Sequence, residues 1–342
     1  MKNKLYHYFS EKAFIYRFTI IASVWRFKKL MQKRGIEQKY ISYRHYLHAF
    51  RLVHCSLGEY MDYELFAKDD ETIRTYLTMY NKHRLLSRLG DRHAALTVTG
   101  SKKSFNEKYK DFLCRKWISV ADCAKEEFLQ FVQEQGEVIF KQPDAFQGNG
   151  IQRYTYTTDE DALSQYDSLK TRHALAEEVI VQHEKMAAFN PQTVNTLRVS
   201  TLCINSNVHF IGACFKTGMG NSSVDNLVKG GVGCGVDTNS WTVITDGFDH
   251  DLNTVVKHPV GGCTFKGFQI PNSESIRTTV TQIAKQCERN GDGHFLAWDV
   301  AVTADKAVII EGNWNQGLTL IQNRQSGKAK IMEDIMKKEG IL

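Results

Sequence analysis

Residues 298–317 read WDVAVTADKAVIIEGNWNQG. With HFLAWDVAVT opening at His294, two apolar runs flank Ala304-Asp305, which predicts a pair of strands joined as a hairpin. Side chains alternate across a strand, so Asp299 sits near the end of one strand, while Glu311 and Asn313, two apart, share a face of the other. An acid that interrupts an apolar strand is costly unless it has a partner. Two carboxylates and an amide oxygen are hard ligands suited to Mg²⁺ that also binds phosphates. A hairpin with polar strand ends is the plainer reading of the same residues.

Working outward, NTLRVSTLCI (195–204) and VHFIGACF (208–215) form a second strand pair around Asn205-Ser206-Asn207. Arg198 lies between apolar neighbours on the first strand and Lys216 ends the second, where both are readable as edge-strand charges. Further upstream, VIF (138–140), RYTYT (153–157) and HALAEEVIV (173–181) read as strands, with a helix before the last. Helices are predicted from Asp122 to Gln135, stopped by Gly136, and from Asp69-Asp70 to Gly90 with Ile73, Leu77, Tyr80 and Leu85 inward. Such short connections imply antiparallel pairing and an α+β fold.

The stretch VIFKQPDAFQGNG (138–150) places Lys141 at a strand end before a loop holding Gly148 and Gly150. A cation beside inward-pointing backbone N–H groups suits nucleotide phosphates, and a hairpin with a surface lysine is the alternative. Other nucleotide patterns fail. GMGNSS (218–223) lacks the third glycine of a dinucleotide turn, and Gly327-Lys328 lacks the rest of a P-loop. The histidines show no HExxH spacing, and no Ser-His-Asp or Cys-His signature stands out.

The 342 residues are 42% hydrophobic and 24% charged with 4 prolines, the composition of a compact globular chain. Eight cysteines without a CxxC pair predict reduced thiols. No run of eighteen apolar residues and no signal-peptide pattern is present, so a cytoplasmic location is expected. The basic charge is concentrated at one end: residues 1–52 balance to +10 against +6 for the whole chain. There Phe14, Phe18, Ile21, Trp25 and Leu30 recur at roughly helical spacing. Such a helix suits peripheral attachment to an anionic membrane or an acidic polymer, or docks on the core with its charges solvated. No nucleic-acid-binding signature accompanies it, so nucleic acid is not an expected partner.

In NKHRLL (81–86), EEVIVQH (177–183), FNPQTVNTLRV (189–199), SSVDNLVKGGVGCGVD (222–237), HPVGG (258–262) and the Asp299/Glu311/Asn313 set, the chain resembles the ATP-grasp superfamily over about residues 75–320. The likeness is to its sugar-transfer-associated branch, related to α-L-glutamate ligases and found in bacterial surface-polysaccharide loci. It implies two α+β subdomains gripping ATP at 76–322, preceded by a helical basic region at 1–75 and followed by a C-terminal helix at 323–342. Lys82 and Lys141 look like phosphate lysines, with the Gly148–Gly150 loop closing over the phosphates. Glu177, Val179 and Ile180 resemble the adenine-binding hinge, with His183 or Glu184 near the ribose. Asp299, Glu311 and Asn313 would hold Mg²⁺. Arg198 and Lys216 would stabilise the transferring phosphoryl group. Asp225, Asn226 and Lys229 would belong to a substrate loop; His258, before Pro259, reads as loop architecture, with a place in that substrate loop as the alternative. The resemblance implies a ligase that joins a carboxylate, such as a uronic acid or glycan, to an amine or amino acid through an acyl phosphate. A kinase on the same fold, or a polyanion- or membrane-binding module with a degenerate ATP site, is the alternative.

Overall fold

Asn205 and Ser206 both adopt the left-handed backbone, with φ of 52° and 62°. A two-residue turn of that kind matches the twist of the strands it joins. It aligns β5 (Thr196–Ile204) with β6 (Asn207–Thr217) from Ile204–Asn207 to Thr196–Lys216. The second expected hairpin pairs β10 (Phe295–Val302) with β11 (Ala307–Asn313), and β10 also pairs with β5. With β7 (Val232–Val236), β8 (Gly247–Phe248) and β9 (Thr254–Val255) they form a seven-stranded sheet in the order β11-β10-β5-β6-β7-β8-β9. A four-stranded sheet, β1-β4-β2-β3, is built from β1 (Trp117–Ser119), β2 (Glu137–Lys141), β3 (Ile151–Thr155) and β4 (Leu175–Glu178). Every strand pairing among the described residues is antiparallel. The computed structural model describes residues 25, 27–29, 31–32, 42–90, 101–143, 150–220, 224–322 and 325–342.

The large sheet has two different faces. The helix Ser273–Arg289 lies across β5, β6, β10 and β11 and buries Ile276, Val280, Ile283 and Cys287 against Leu197, Val199, Trp298 and Ile309. Those helix positions recur every three or four residues, giving one apolar stripe. Each large side chain so buried contributes about 1.5–3 kcal/mol. The helices Thr319–Gln322 and Ala329–Lys338 pack on β6, the first also on β7. The small sheet is covered by the helices Lys125–Gln135 and Asp159–Thr171, with Phe128, Val132, Phe140, Tyr154 and Tyr166 in its core.

Contacts divide the chain into Met1–Arg74 and Thr75–Leu342. In the first unit Phe27 and Met31 are buried, and the Phe27 ring lies 5.8 Å from Tyr43 and 6.3 Å from Tyr46. Trp25 is 61% exposed, so the inward register is not the one that the Trp25 spacing suggested. Phe14, Phe18, Ile21 and Leu30 of that expected helix lie outside the described residues.

The helix expected from Asp69 to Gly90 is two, Asp70–Thr75 and Met79–Leu86. The Gln322 side-chain amide explains the break. Its Oε1 accepts the Leu77 N–H at 2.8 Å and its Nε2 donates to the Leu77 carbonyl at 2.9 Å, which removes both groups from a helical ladder. Thr78 is then extended and its hydroxyl caps the second helix. The other expected helix starts at Lys125 rather than Asp122, whose carboxylate is held by Lys103 Nζ at 2.5 Å. All eight cysteines are free. Among the described residues no helix is long and apolar enough to cross a membrane.

The HPVGG segment is shaped by close approach. A Cβ at Gly261 would lie 1.8 Å from the Ala188 carbonyl oxygen, whereas one at Gly317 would meet nothing within 4 Å. Gly261→Ala should therefore lower stability by about 2 kcal/mol or more, and Gly317→Ala by under about 1 kcal/mol. Urea midpoints of the two variants check this.

Candidate active site

The strand register brings four of the expected residues onto one sheet face. Arg198 on β5 stands opposite Asp299 on β10, Asp299 stands opposite Glu311 on β11, and Thr196 on β5 stands opposite Lys216 on β6. The Arg198 guanidinium forks onto Asp299, Nε to Oδ1 and Nη2 to Oδ2, the latter at 3.0 Å. Lys216 Nζ is 3.4 Å from Asp299 Oδ2 and 3.4 Å from Asp225 Oδ1. The Thr196 hydroxyl donates to the other oxygen of Asp225. Burial opposes charge on Asp299, yet Arg198 and Lys216 outweigh it and hold the carboxyl below the usual carboxylate range. Burial also disfavours the Lys216 ammonium, and Asp225 and Asp299 overcome it and raise its pKa. Arg198 is raised in the same way by Asp299 and Glu311 against burial. The face stays ionised although Asp299 and Lys216 are buried.

Glu311 and Asn313 project together, as their spacing predicted: Asn313 Nδ2 donates to Glu311 Oε1 at 3.4 Å. Glu311 Oε2 and Asn313 Oδ1 accept no hydrogen bond among the described residues. That leaves two hard oxygens open beside Asp299, a donor set that fits Mg²⁺. Asp299 would share its oxygens with Arg198. Among the described residues no group of three His, Cys, Asp or Glu side chains makes an all-protein metal cage, so water or phosphate oxygens would complete the shell.

On the small sheet, Lys141 Nζ lies 2.7 Å from Glu177 Oε2. Arg115 Nε reaches the same oxygen at 2.8 Å, and Asn106 Nδ2 donates to Oε1 at 3.2 Å. The Glu177 side chain was expected to read an adenine edge; the structure commits it to two cations instead. Burial would raise its pKa, but the Arg115 and Lys141 charges depress it far below the usual range. Val179 and Ile180 follow the end of β4 and make no backbone hydrogen bond among the described residues, so their backbone groups stay open. His183 caps the short helix Glu184–Ala187, its Nδ1 accepting the Lys185 N–H at 3.1 Å. Gly150 has φ 68°, and a Cβ there would lie 2.9 Å from Gln142 Oε1. Gly148 lies outside the described residues.

The placement of Lys82 and of the loop set differs from the expectation. Lys82, implied for phosphate, is 1% exposed and donates to Asn315 Oδ1 at 3.1 Å and to the Gln316 carbonyl at 3.2 Å, bracing the turn after Asn313. His258, read as loop architecture with a substrate contact as the alternative, is 1% exposed and is spent on hydrogen bonds within the fold. Its Nε2 lies 2.9 Å from the Gly218 carbonyl, which only a protonated Nε2 can bond, and its Nδ1 accepts the Val260 N–H at 3.2 Å. Asn226 caps the turn Leu227–Lys229, and Lys229 is exposed, so of the loop set Asp225 alone joins the charged face. The FNPQTVNTLRV motif is largely a buried support: Asn195 bonds Gln182, the Met186 and Asn190 carbonyls and the Thr217 hydroxyl.

Arg115 was missed. Its guanidinium also donates from Nη1 to the Ile309 carbonyl at 2.8 Å and from Nη2 to the Ile310 carbonyl at 3.1 Å. The β10–β11 register slips here, Asp299 pairing with Glu311 but Val300 with Ile309, which makes Ile310 the extra residue of a bulge. Arg115 thus ties the Lys141–Glu177 pair of one sheet to the β11 residues just before Glu311. A lone arginine in CRKW carries no pattern that would have flagged it.

Replacing Arg115 by Met leaves Glu177 with Lys141 and the neutral Asn106 amide, and breaking a buried ion pair costs about 3–5 kcal/mol. Since Glu177 has a depressed pKa in the fold, its stabilisation is present above the unfolded carboxylate range and lost as pH falls through the folded value. Arg115→Met should therefore unfold at a higher pH than the parent in an acid titration followed by circular dichroism.

The family model described as sugar-transfer associated ATP-grasp matches residues 161–336. Among solved structures, the D-alanyl-alanine synthetase A of Vibrio cholerae O1 biovar eltor is 10% identical, with 73% of this chain and 67% of that chain covered and a TM-score of 0.44. A biotin carboxylase from Campylobacter jejuni, in a β-γ-ATP complex, is 14% identical over 72% of this chain and 47% of that one, with a TM-score of 0.46. The chain thus spans about two thirds of the first and about half of the second. A comparison with curated proteins finds no match. The family match takes in more than half of the sequence, including β4 through β11 and the Arg198, Lys216, Asp299, Glu311 and Asn313 face, and the chain belongs to the sugar-transfer associated ATP-grasp family.

Proposed function

We propose that the chain is an ATP-dependent ligase that joins a carboxylate to an amine through an acyl phosphate. The observation that carries this reading is the ionised Arg198–Asp299–Lys216 cluster beside Glu311 and Asn313, a surface built to neutralise charge rather than to attack. The nearby alternatives for covalent chemistry argue the same way. Cys214 shares that face, but burial pushes its thiol up to about 12, and His258 has its ring nitrogens occupied.

Lys141, freed from Glu177 or shared with it, would meet the nucleotide phosphates, and the open backbone of Val179 and Ile180 would take the base edge. His183 or Glu184 would lie by the ribose. Asp299, Glu311 and Asn313 would hold Mg²⁺, whose charge offsets that of the phosphates. A substrate carboxylate oxygen attacks the γ-phosphorus and ADP leaves; Arg198 and Lys216 balance the charge on the transferring group. The amine then attacks the acyl carbon and phosphate departs. The sugar-transfer association of the family supports a carboxylated sugar, such as a uronic acid, as the activated partner in surface-glycan modification.

An acyl-phosphate ligase should release ADP and inorganic phosphate in equal amounts with amide formation, read by coupled ADP release over amino acids and carboxylated sugars. AMP with pyrophosphate, or a stable phosphorylated product as from a kinase, overturns the reading. Glu311→Gln should keep the circular-dichroism spectrum and lose about 100-fold or more in turnover. Lys141→Ala should weaken nucleotide binding about tenfold, since a charged hydrogen bond is worth about 1.5–3 kcal/mol; calorimetry checks it.

A further inference from the structure

The His258 imidazole holds the chain directly beyond Lys216. Its Nε2 lies 3.1 Å from the Thr217 hydroxyl and 2.9 Å from the Gly218 carbonyl, and its Nδ1 accepts the Val260 N–H at 3.2 Å and the Gly261 N–H at 3.4 Å. The Thr217 hydroxyl donates to Asn195 Oδ1, so toward the ring it accepts. One neutral form satisfies all of these bonds, with hydrogen on Nε2 and the Nδ1 lone pair filled.

A second proton has no place in this arrangement. It would sit on Nδ1 and face two N–H groups that need an acceptor. The turn that carries them is closed on itself, His258 N–H to the Cys263 carbonyl and Gly262 N–H to the His258 carbonyl, both at 2.8 Å. The walls are the Phe189 and Phe265 rings, whose centroids lie 6.1 and 5.9 Å from that of the imidazole. No charged side chain among the described residues offsets the burial. Lys257 and Lys266, next to His258 and Phe265, are exposed, as are Glu184 and Lys185 on the helix before Phe189. Cys263 Sγ is turned to the Ala188 carbonyl at 3.3 Å, and the Lys216 ammonium is directed at Asp225 and Asp299. Burial lowers the His258 pKa, and the Gly218 carbonyl opposes this only in part.

The segment that the ring holds touches both members of an ion pair on the charged face. Lys216 immediately precedes Thr217. A Cβ at Gly218 would lie 2.7 Å from the Val224 carbonyl oxygen, so the chain returns against Gly218 just before Asp225, which pairs with Lys216. Asn190 Nδ2 donates to the same Gly218 carbonyl at 2.9 Å, and it does not titrate. We propose that His258 is a positioning residue whose neutral form keeps Lys216 and Asp225 in place, and whose protonation releases the Thr217–Gly218 segment and turns phosphoryl transfer down in acid. That Lys216 serves phosphoryl transfer rests on the ligase function proposed above. The closed form excludes the proton, whereas an opened form takes it near the ordinary value of about 6.5. The lock therefore holds above that pH, and opening gains up to about tenfold per pH unit below it.

The test follows hydrogen exchange of the full chain by mass spectrometry at about pH 7.5 and about pH 5.5, corrected for the intrinsic rates, values that bracket the ordinary histidine pKa. Amides of 217–220 and 258–263 should exchange up to about tenfold faster at the lower pH in the parent. His258→Gln, whose amide donates without titrating, should lose that dependence. Should His258→Gln fail to fold by circular dichroism, His258→Asn takes its place: its side-chain oxygen accepts the Val260 N–H as in an Asx turn, and its exchange should be fast at both pH values. The rate of ADP release at saturating Mg²⁺-ATP, over amino acids and carboxylated sugars, should fall more in acid for the parent than for the variant. Calorimetric affinity for a non-hydrolysable ATP analogue should change with pH alike in both. The proposal falls if parent exchange is independent of pH, if either variant keeps the parent's pH step, if the acid loss of rate is the same in parent and variant, or if affinity rather than rate carries the difference. The expected exchange in a chain that releases no ADP at any pH keeps the lock and removes the ligase reading; ADP release with pH-independent exchange does the reverse.

Discussion

The Arg115 guanidinium is the constraint on which the site geometry depends. Its Nε holds Glu177 and so the lysine at the end of β2, while its Nη atoms hold the carbonyls of Ile309 and Ile310 at the β11 bulge. Those two attachments lie on different sheets, so the spacing between Lys141 and Glu311 is set by one planar, always-charged group. Lysine could not replace it, since a point charge lacks the fork that reaches a carboxylate and two carbonyls together.

Burial is used in two opposite ways in this unit. Around Asp299 and around Glu177 it is opposed by paired cations, and the groups remain charged at low exposure. Around Cys214 and His258 no such pairing exists: the thiol is pushed up and burial pulls the imidazole down, which keeps both neutral. Buried charges around Asp299 and Glu177 are thereby paired, while the neighbouring Cys214 thiol and His258 imidazole are kept neutral. The Asn195, Gln182, Thr217 and His258 hydrogen bonds hold the segments around this face without adding charge to it.

Much of the fold was legible because local pattern and tertiary demand agree. The Asn205-Ser206-Asn207 turn, the alternation in 294–313 and the stop at Gly136 each follow from backbone preferences that packing does not override. The break at Tyr76-Leu77-Thr78 was not legible, because its cause is Gln322, far away in sequence. The inward register around Trp25 failed for a related reason: Phe27 finds Tyr43, Tyr46 and Tyr60, and periodicity alone cannot say which of two close aromatic residues meets those rings.

At the site, the sequence by itself determined that Glu311 and Asn313 share a face, while the strand register brought Asp299, Arg198 and Lys216 to it. Strand alternation put Glu311 with Asn313 and placed Asp299, Arg198 and Lys216 on strands that could align, since a period of two admits only two faces. Tertiary structure decided what each group is spent on. Glu177 serves two cations rather than a base edge, Lys82 and His258 brace turns, and the buried Gln316 Nε2 is left without a partner. These assignments depend on partners separated by tens to hundreds of residues, and a hydrogen bond requires direction and distance that only the packed chain supplies.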